Sequence, residues 1–195
     1  NEIGVFDMGD NGLHQVDNPS LAMLAGRPIH VSGTCVTCVM EGVRPVLAEI
    51  QALVVPSSFG NPRRVSNGVE YNRAMLLLAV LEKRGGLLLG NCDAYLNVIG
   101  GLSLDEPAAD LAAMLALASS FRDKPVPSDL AAIGEVGLTG ELRAVSNLGQ
   151  RLSEVRRLGF SKCLIPKRIQ GKLAAPEGLE LIRVANIREA LAALL

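Results

Sequence analysis

The side chains of this chain that could do chemistry fall into four groups: cysteines, serines near a lysine, clustered carboxylates, and arginines outside obvious helices. Cys35 and Cys38 form a C-x-x-C pair, a spacing used in zinc and redox sites. Their context, V-S-G-T-C-V-T-C-V-M-E-G, alternates small and apolar residues as a strand does, and positions i and i+3 of a strand face opposite ways. The two thiols cannot easily share one metal. Cys92 and Cys163 stand alone, with no second C-x-x-C or nearby histidine to complete four ligands. Reduced and mostly buried thiols are expected. His14, in a polar hairpin-like segment, and His30, near Pro28, read as surface residues. Ser103, Ser119 or Ser120 with Lys124 would be the parts of a displaced serine–lysine hydrolase. Asp105, Glu106 and Asp110 could hold a cation, but they surround Pro107 at the start of a helical pattern. Carboxylates suit the positive end of a helix dipole, and proline's missing amide costs nothing there, so capping is the preferred reading. Arg63 and Arg64 follow Pro62 in a polar stretch, with Arg73 near a helix start and Arg143 beside a turn. A guanidinium holds phosphate bidentately with little reorganisation, which makes these four the candidate phosphate contacts, with Arg64 and Arg73 first because the loop and helix start place them within reach of one phosphate run.

The segment L-D-E-P-A-A-D-L-A-A-M-L-A-L-A, Leu104 to Ala118, resembles the helix that carries the catalytic serine of Lon-type proteases. Where that family reads G-P-S-A-G, this chain has Glu106, Pro107, Ala108, Ala109 and Asp110, so the nucleophile's position holds a methyl group. The stretch from Ile133 to Leu152, I-G-E-V-G-L-T-G-E-L-R-A-V-S-N-L-G-Q-R-L, is similar to the Lon segment that supplies the lysine base. Aligning Leu148 with the family's leucine puts Gly149 on the base, Gln150 on a glutamate and Arg151 on a second lysine. Arg151 cannot substitute, because a guanidinium stays protonated and accepts no proton. The resemblance therefore implies a Lon fold without catalytic residues, the degenerate positions being Ala108 and Gly149.

Further blocks narrow the resemblance: E-I-G-V-F-D-M at Glu2 to Met8, N-P-S at Asn18 to Ser20, E-G-V-R-P-V-L-A-E-I-Q-A-L-V at Glu41 to Val54, N-P-R-R-V at Asn61 to Val65, and A-S-S-F-R-D-K-P-V-P at Ala118 to Pro127. In this order they resemble the C-terminal part of the RadA/Sms family of RecA-related DNA repair ATPases, over nearly the whole chain. The resemblance implies a homo-oligomeric ring, a hexamer, and DNA as partner. It also implies residues 1–28 as the end of an ATPase core plus linker, and 29–195 as the Lon-like domain. The chain has no G-x-x-x-x-G-K-S/T loop, so ATP and Mg²⁺ are expected in a missing N-terminal part and no cofactor or metal in this one. A start at Asn1, in mid-strand sequence, agrees with a fragment.

Composition limits the alternatives independently. With 195 residues, 49% hydrophobic and 20% charged, the chain can bury one good core. Apolar runs such as Met75 to Leu81 are far short of the roughly 20 residues of a membrane span, and no signal-peptide pattern opens the chain. A cytoplasmic protein with no membrane role is expected. The net charge of −1 conceals a division. Asn1 to Pro62 is acidic, whereas Arg143 to Lys172 carries eight basic residues against Glu154 alone. Local excesses of this kind attract phosphate even in a neutral chain, although a solvated helix face is the plainer reading. Aromatic content of 3% without tryptophan leaves almost no platform for base stacking, so DNA contacts would go to the backbone. An oligomerisation module without DNA contact is the alternative from another class.

Periodicity gives the elements that must position these residues. Strands are expected at Ile3 to Phe6 and Leu13 to Val16 around a turn at Gly9 to Gly12, followed by a linker from Asn18 to Pro28. Strands His30 to Met40 and Pro45 to Val55 flank an E-G-V-R turn, and Pro56 to Gly68 reads as a loop. A helix spans Val69 to Arg84, ending at Gly85 and Gly86, and a strand runs from Ala94 to Ile99. The alanine-rich helix from Pro107 to about Ser120 is apolar nearly all round and belongs inside the fold. Strand Ala131 to Val136, a G-L-T-G turn, Glu141 to Val145, helix Leu148 to Leu158, strands Cys163 to Pro166 and Leu179 to Val184, and helix Ile187 to Leu194 complete the chain. The class is α+β, an α/β sandwich with helices packed on a mixed sheet.

Overall fold

The computed structural model describes Gly4, Phe6–Ser58 and Gly60–Leu195. A two-stranded ribbon comes first, β1 (Phe6–Gly9) antiparallel to β2 (Gly12–Gln15), with Gly12 at φ 103° closing the turn. The expected first strand lies partly on Ile3 and Val5, outside the described residues. Asn18 to Pro28, expected to be a linker, contains a short helix, α1 (Pro19–Leu24). Asn18 caps it by accepting from the Leu21 N–H, and Pro19 occupies the first turn. The buried Ser20 hydroxyl donates to Glu154 and accepts the Leu47 N–H, which holds α1 against the sheet.

A seven-stranded sheet follows, built from β3 (Thr34–Glu41), β4 (Arg44–Pro56), β5 (Arg64–Asn67), β6 (Cys92–Val98), β7 (Leu130–Ala132), β10 (Lys162–Pro166) and β11 (Glu180–Val184). Their spatial order is β11-β10-β7-β3-β4-β6-β5. The four strands from β11 to β3 are parallel, β4 is antiparallel to both its neighbours, and β5 is parallel to β6. The expected β3–β4 hairpin closes through Gly42 and Val43, with Gly42 at φ 63° as a two-residue turn requires. β5 stands where a loop is expected. Its four residues are too few for a readable period, and only the pairing with β6 makes them a strand.

α2 (Tyr71–Lys83), α3 (Asp110–Arg122) and α5 (Ile187–Leu194) pack on one face of the sheet, and α1 with α4 (Leu148–Arg157) on the other. Strand alternation divides β3 between two cores, with Cys35 and Val39 in one and Val36 and Cys38 in the other. The C-x-x-C thiols therefore point to opposite faces, as the alternation implies. Burial pushes both up to about 12, which removes thiolate chemistry at neutral pH. α3 is buried from Asp110 to Ser119 and forms the centre of the first core. The strand expected from Ala131 to Val136 breaks in two. At Gly134 the backbone stops bonding β10 and joins the turn ahead of α3 instead, and β8 (Glu135–Val136) then pairs with β9 (Leu142–Arg143). No helix among the described residues is long and apolar enough to cross a membrane.

Glu49 of β4 is 2% exposed, accepts one hydrogen bond from the Gln51 amide, and has no partner for its second oxygen among the described residues. Burial pushes its carboxyl above the ordinary value, against the pull of Gln51 and Arg27. A folded-state value above the unfolded one means that stability is lost as pH rises through it. Glu49→Gln removes the buried charge while leaving a polar group in place, and is therefore expected to stabilise the chain at pH 8 by about 1 kcal/mol. The gain should shrink towards pH 4. Urea unfolding at both pH values measures it, and an equal effect at both would contradict the assignment.

Candidate functional site

The segment from Ser103 to Leu111 enters α3 through a 3₁₀ turn, Pro107–Ala109, and is held by backbone hydrogen bonds at Leu104, Ala108 and Leu111. The Ala108 carbonyl accepts from the Gly134 N–H at 2.9 Å, and the Gly134 carbonyl accepts from the Leu111 N–H at 3.1 Å. This exchange fixes the turn to the sheet where β7 ends. The Ala108 methyl is buried in the second core, in a cluster that includes Ile133, Val145 and Leu148. A hydroxyl placed there would enter an apolar environment.

The carboxylates on either side do not cap helices. Neither the 3₁₀ turn nor α3 has a side-chain cap, so the capping expectation is corrected in that respect, while Pro107 stands in the first turn and Asp110 places its charge at the N-terminus of α3 as expected. Each carboxylate instead meets an arginine from another element. Glu106 accepts a bidentate pair from Arg151 and also takes the Met40 N–H at 2.9 Å. Asp110 accepts a bidentate pair from Arg73 of α2 and the Val136 N–H at 3.1 Å. Burial pushes the Asp110 carboxyl up, while Arg73 and Val136 pull it back.

Arg151 is 1% exposed, so a guanidinium sits inside the fold. Besides Glu106, its Nε donates to the Ser146 carbonyl at 2.8 Å and its Nη1 to the Cys38 carbonyl at 2.9 Å. Two positions earlier on α4, Gly149 is exposed, and a Cβ built there would meet nothing within 4 Å. Space does not forbid a lysine at 149. What that position lacks is the group itself. These pairs, each with one buried and one partly exposed partner, escaped sequence reasoning, although a signal existed: carboxylates two residues either side of an alanine, and an arginine at an inward position of the amphipathic α4.

The four arginines singled out from the sequence are not equivalent. Arg63 is exposed, its backbone bound to Asp93 and Ala94. Arg64 lies on β5 rather than in a loop, half-buried, donating to the Leu89 carbonyl at 2.8 Å. Arg73, on α2, is engaged by Asp110 and also donates to the Val136 carbonyl. Arg143 is exposed on β9, 4.0 Å from Glu141. The structure does not bring Arg64 and Arg73 together as a pair of free cations. Two serines of the displaced-hydrolase alternative serve the backbone: Ser119 accepts from Gly33 and donates to the Lys124 carbonyl, and Ser120 accepts from Val54, while the Ser103 hydroxyl donates to the Asp105 carboxylate. The Lys124 ammonium donates to the Leu195 carbonyl.

Residues 93–195 match the Lon protease (S16) C-terminal proteolytic domain, a span that takes in all of β6 but its first residue, α3, α4 and both degenerate positions. Over 191 residues, 98% of the chain, it is 53% identical to the DNA repair protein RadA of Bacillus subtilis (strain 168). Over the same share it is 50% identical to that of Halalkalibacterium halodurans and 49% identical to that of Streptococcus pneumoniae. The chain spans 42% of the first two proteins and 46% of the third, less than half the length of these curated relatives.

Proposed function

The chain belongs to the family of Lon protease C-terminal proteolytic domains, and from that premise we propose that it is a non-proteolytic member. It works within a RadA-type DNA repair ATPase as a ring-forming scaffold and an accessory surface for the DNA backbone. The observation that carries the reading is the double replacement at the dyad positions, with a buried methyl at Ala108 and no side chain at Gly149. ATP and Mg²⁺ chemistry belongs to the rest of such a protein, and the cytoplasm is where it would act.

The wild-type chain should not cleave casein or fluorogenic peptides, and neither should Ala108→Ser, whose hydroxyl would have no base to activate it. Adding Gly149→Lys is not expected to restore activity, because Glu106 and Asp110 remain bound to arginines beside the turn. Turnover by the wild-type chain that a serine-directed inhibitor abolishes would overturn the reading.

The DNA half of the proposal rests first on Arg63 and Arg143, which are exposed, and only secondarily on the engaged Arg64 and Arg73. Arg63→Ala with Arg143→Ala should reduce the salt slope of duplex binding by about two units, equally for unrelated sequences, since phosphates carry no base information. Fluorescence anisotropy at several salt concentrations measures this. An unchanged slope would leave the pure oligomerisation module, which the engagement of two of the four arginines already favours as the second reading. The scaffold half draws support from apolar side chains left open on the β4–β6–β5 face, Leu53, Val55 and Val65. Sedimentation should find a hexamer, and a monomer across micromolar concentrations would remove the scaffold role.

A further inference from the structure

A cleft of about 310 Å³ opens between the first half of α2 and the segment leading into α3. Its floor is apolar, made by Val69, Leu77, Leu104, Ala109 and Ala113. Its walls are preset: Arg73 of α2 grips Asp110 of α3, and Val69 bridges Leu104 in parallel register. The cleft is separate from the degenerate dyad position, because Pro107, Ala109 and Asp110 line it while Ala108 belongs to the second core.

Charge distinguishes what could enter. Glu70, Asp105, Glu106 and Asp110 all line the cleft, against Arg73 alone. Glu106 and Asp110 are matched by Arg151 and Arg73. Glu70 spends its oxygens on the Asn72 and Arg73 N–H groups, and those hydrogen bonds hold its carboxyl below the ordinary value, so it stays ionised. Asp105 accepts only the Ser103 hydroxyl among the described residues. Two carboxylates without an ion-pair partner among the described residues therefore border an apolar floor, Glu70 stabilised by backbone N–H groups and Asp105 by a hydroxyl. Phosphate is repelled by such a rim, whereas a cation joined to an apolar group is attracted on both counts.

We propose that this cleft binds a polypeptide segment presenting an apolar side chain next to a lysine or arginine. The apolar side chain fills the floor, and the cation meets Glu70 and Asp105. Neither contact involves a dyad position or the arginines assigned to DNA through Arg63 and Arg143.

The test is a titration of the methyl-labelled chain, followed by nuclear magnetic resonance, with a capped Gly-Lys-Leu-Lys-Gly peptide. The methyl signals of Val69, Leu77 and Leu104 should shift saturably, whereas Gly-Glu-Leu-Glu-Gly and Gly-Lys-Gly-Lys-Gly should leave them in place. Asp105→Asn, an exposed change that leaves the fold intact, should weaken binding about fivefold at low salt, the effect of one charge contact in water. Ala109→Phe, which fills the floor, should abolish it. If Ala109→Phe does not fold, Asp105→Asn decides alone. The proposal is overturned by the absence of saturable shifts at millimolar lysine-flanked peptide, by equal shifts with the glutamate-flanked one, by a short single-stranded oligonucleotide shifting the same methyls, or by unchanged affinity in Asp105→Asn.

Discussion

Arg151→Ala is expected to lower the stability of this chain by about 3 kcal/mol, the low end for breaking a buried ion pair, because the Glu106 side chain left behind is 28% exposed. The guanidinium is 1% exposed and satisfies a carboxylate and two carbonyls at once, those of Glu106, Ser146 and Cys38. Its loss leaves Glu106 with the Met40 N–H alone, takes this donor from the Ser146 and Cys38 carbonyls, and opens a cavity between α4 and β3. For a domain of this size, roughly 2–4 °C in Tm accompanies each kcal/mol, so the midpoint should fall by roughly 6–12 °C. Thermal unfolding followed by circular dichroism measures it. Arg151→Met with Glu106→Gln should recover part of the loss, since an uncharged pair needs no compensating ion. A fall of less than about 3 °C in the single variant would mean that water reaches Glu106 readily, and the pair would then not be what holds the turn before α3.

The second large effect belongs to Arg73, which the sequence offers as a phosphate contact and the structure employs inside the protein. Arg73→Ala should destabilise the fold by about 2–4 kcal/mol, because the Asp110 carboxyl, 4% exposed, keeps only the Val136 N–H. The loss should depend on pH. Burial already pushes Asp110 up, and without the guanidinium it rises further, so the folded state favours the protonated acid. A folded value above the unfolded one gives stability that is present at low pH and lost as pH rises. The variant should therefore be closer to wild type near pH 4 than at pH 8. Chemical denaturation at the two pH values tests this, and Arg73→Ala with Asp110→Ala should remove the pH dependence. A variant that keeps wild-type stability while losing DNA affinity would return Arg73 to the DNA surface. A variant that loses both cannot be read as a binding mutant.

Much of the architecture is legible in the sequence because it follows from local periodicity. The 3.6-residue pattern with glycine stops marks α2 and α4, the unbroken apolar composition of Leu111 to Ala118 puts α3 in the centre, and alternation across Cys35 to Val39 separates the two thiols onto opposite faces. The E-G-V-R turn fixes the β3–β4 register through Gly42. The residue types at positions 108 and 149 are likewise decided by the sequence, and no folding can give a methyl or a hydrogen the chemistry of a serine or a lysine. Local pattern says nothing, however, about partners distant in the chain. β5 is a strand only because β6 lies beside it, and α1 is a docked helix only because Glu154 and Leu47 receive Ser20. The strand after Ala132 breaks because the turn at Ala108 competes for its hydrogen bonds. Arginine and carboxylate are read from sequence as surface groups, since burial of a lone charge is prohibitive. Arg151 meets Glu106 across 45 residues and Arg73 meets Asp110 across 37, and only the tertiary structure brings those opposite charges close enough to make their burial tolerable.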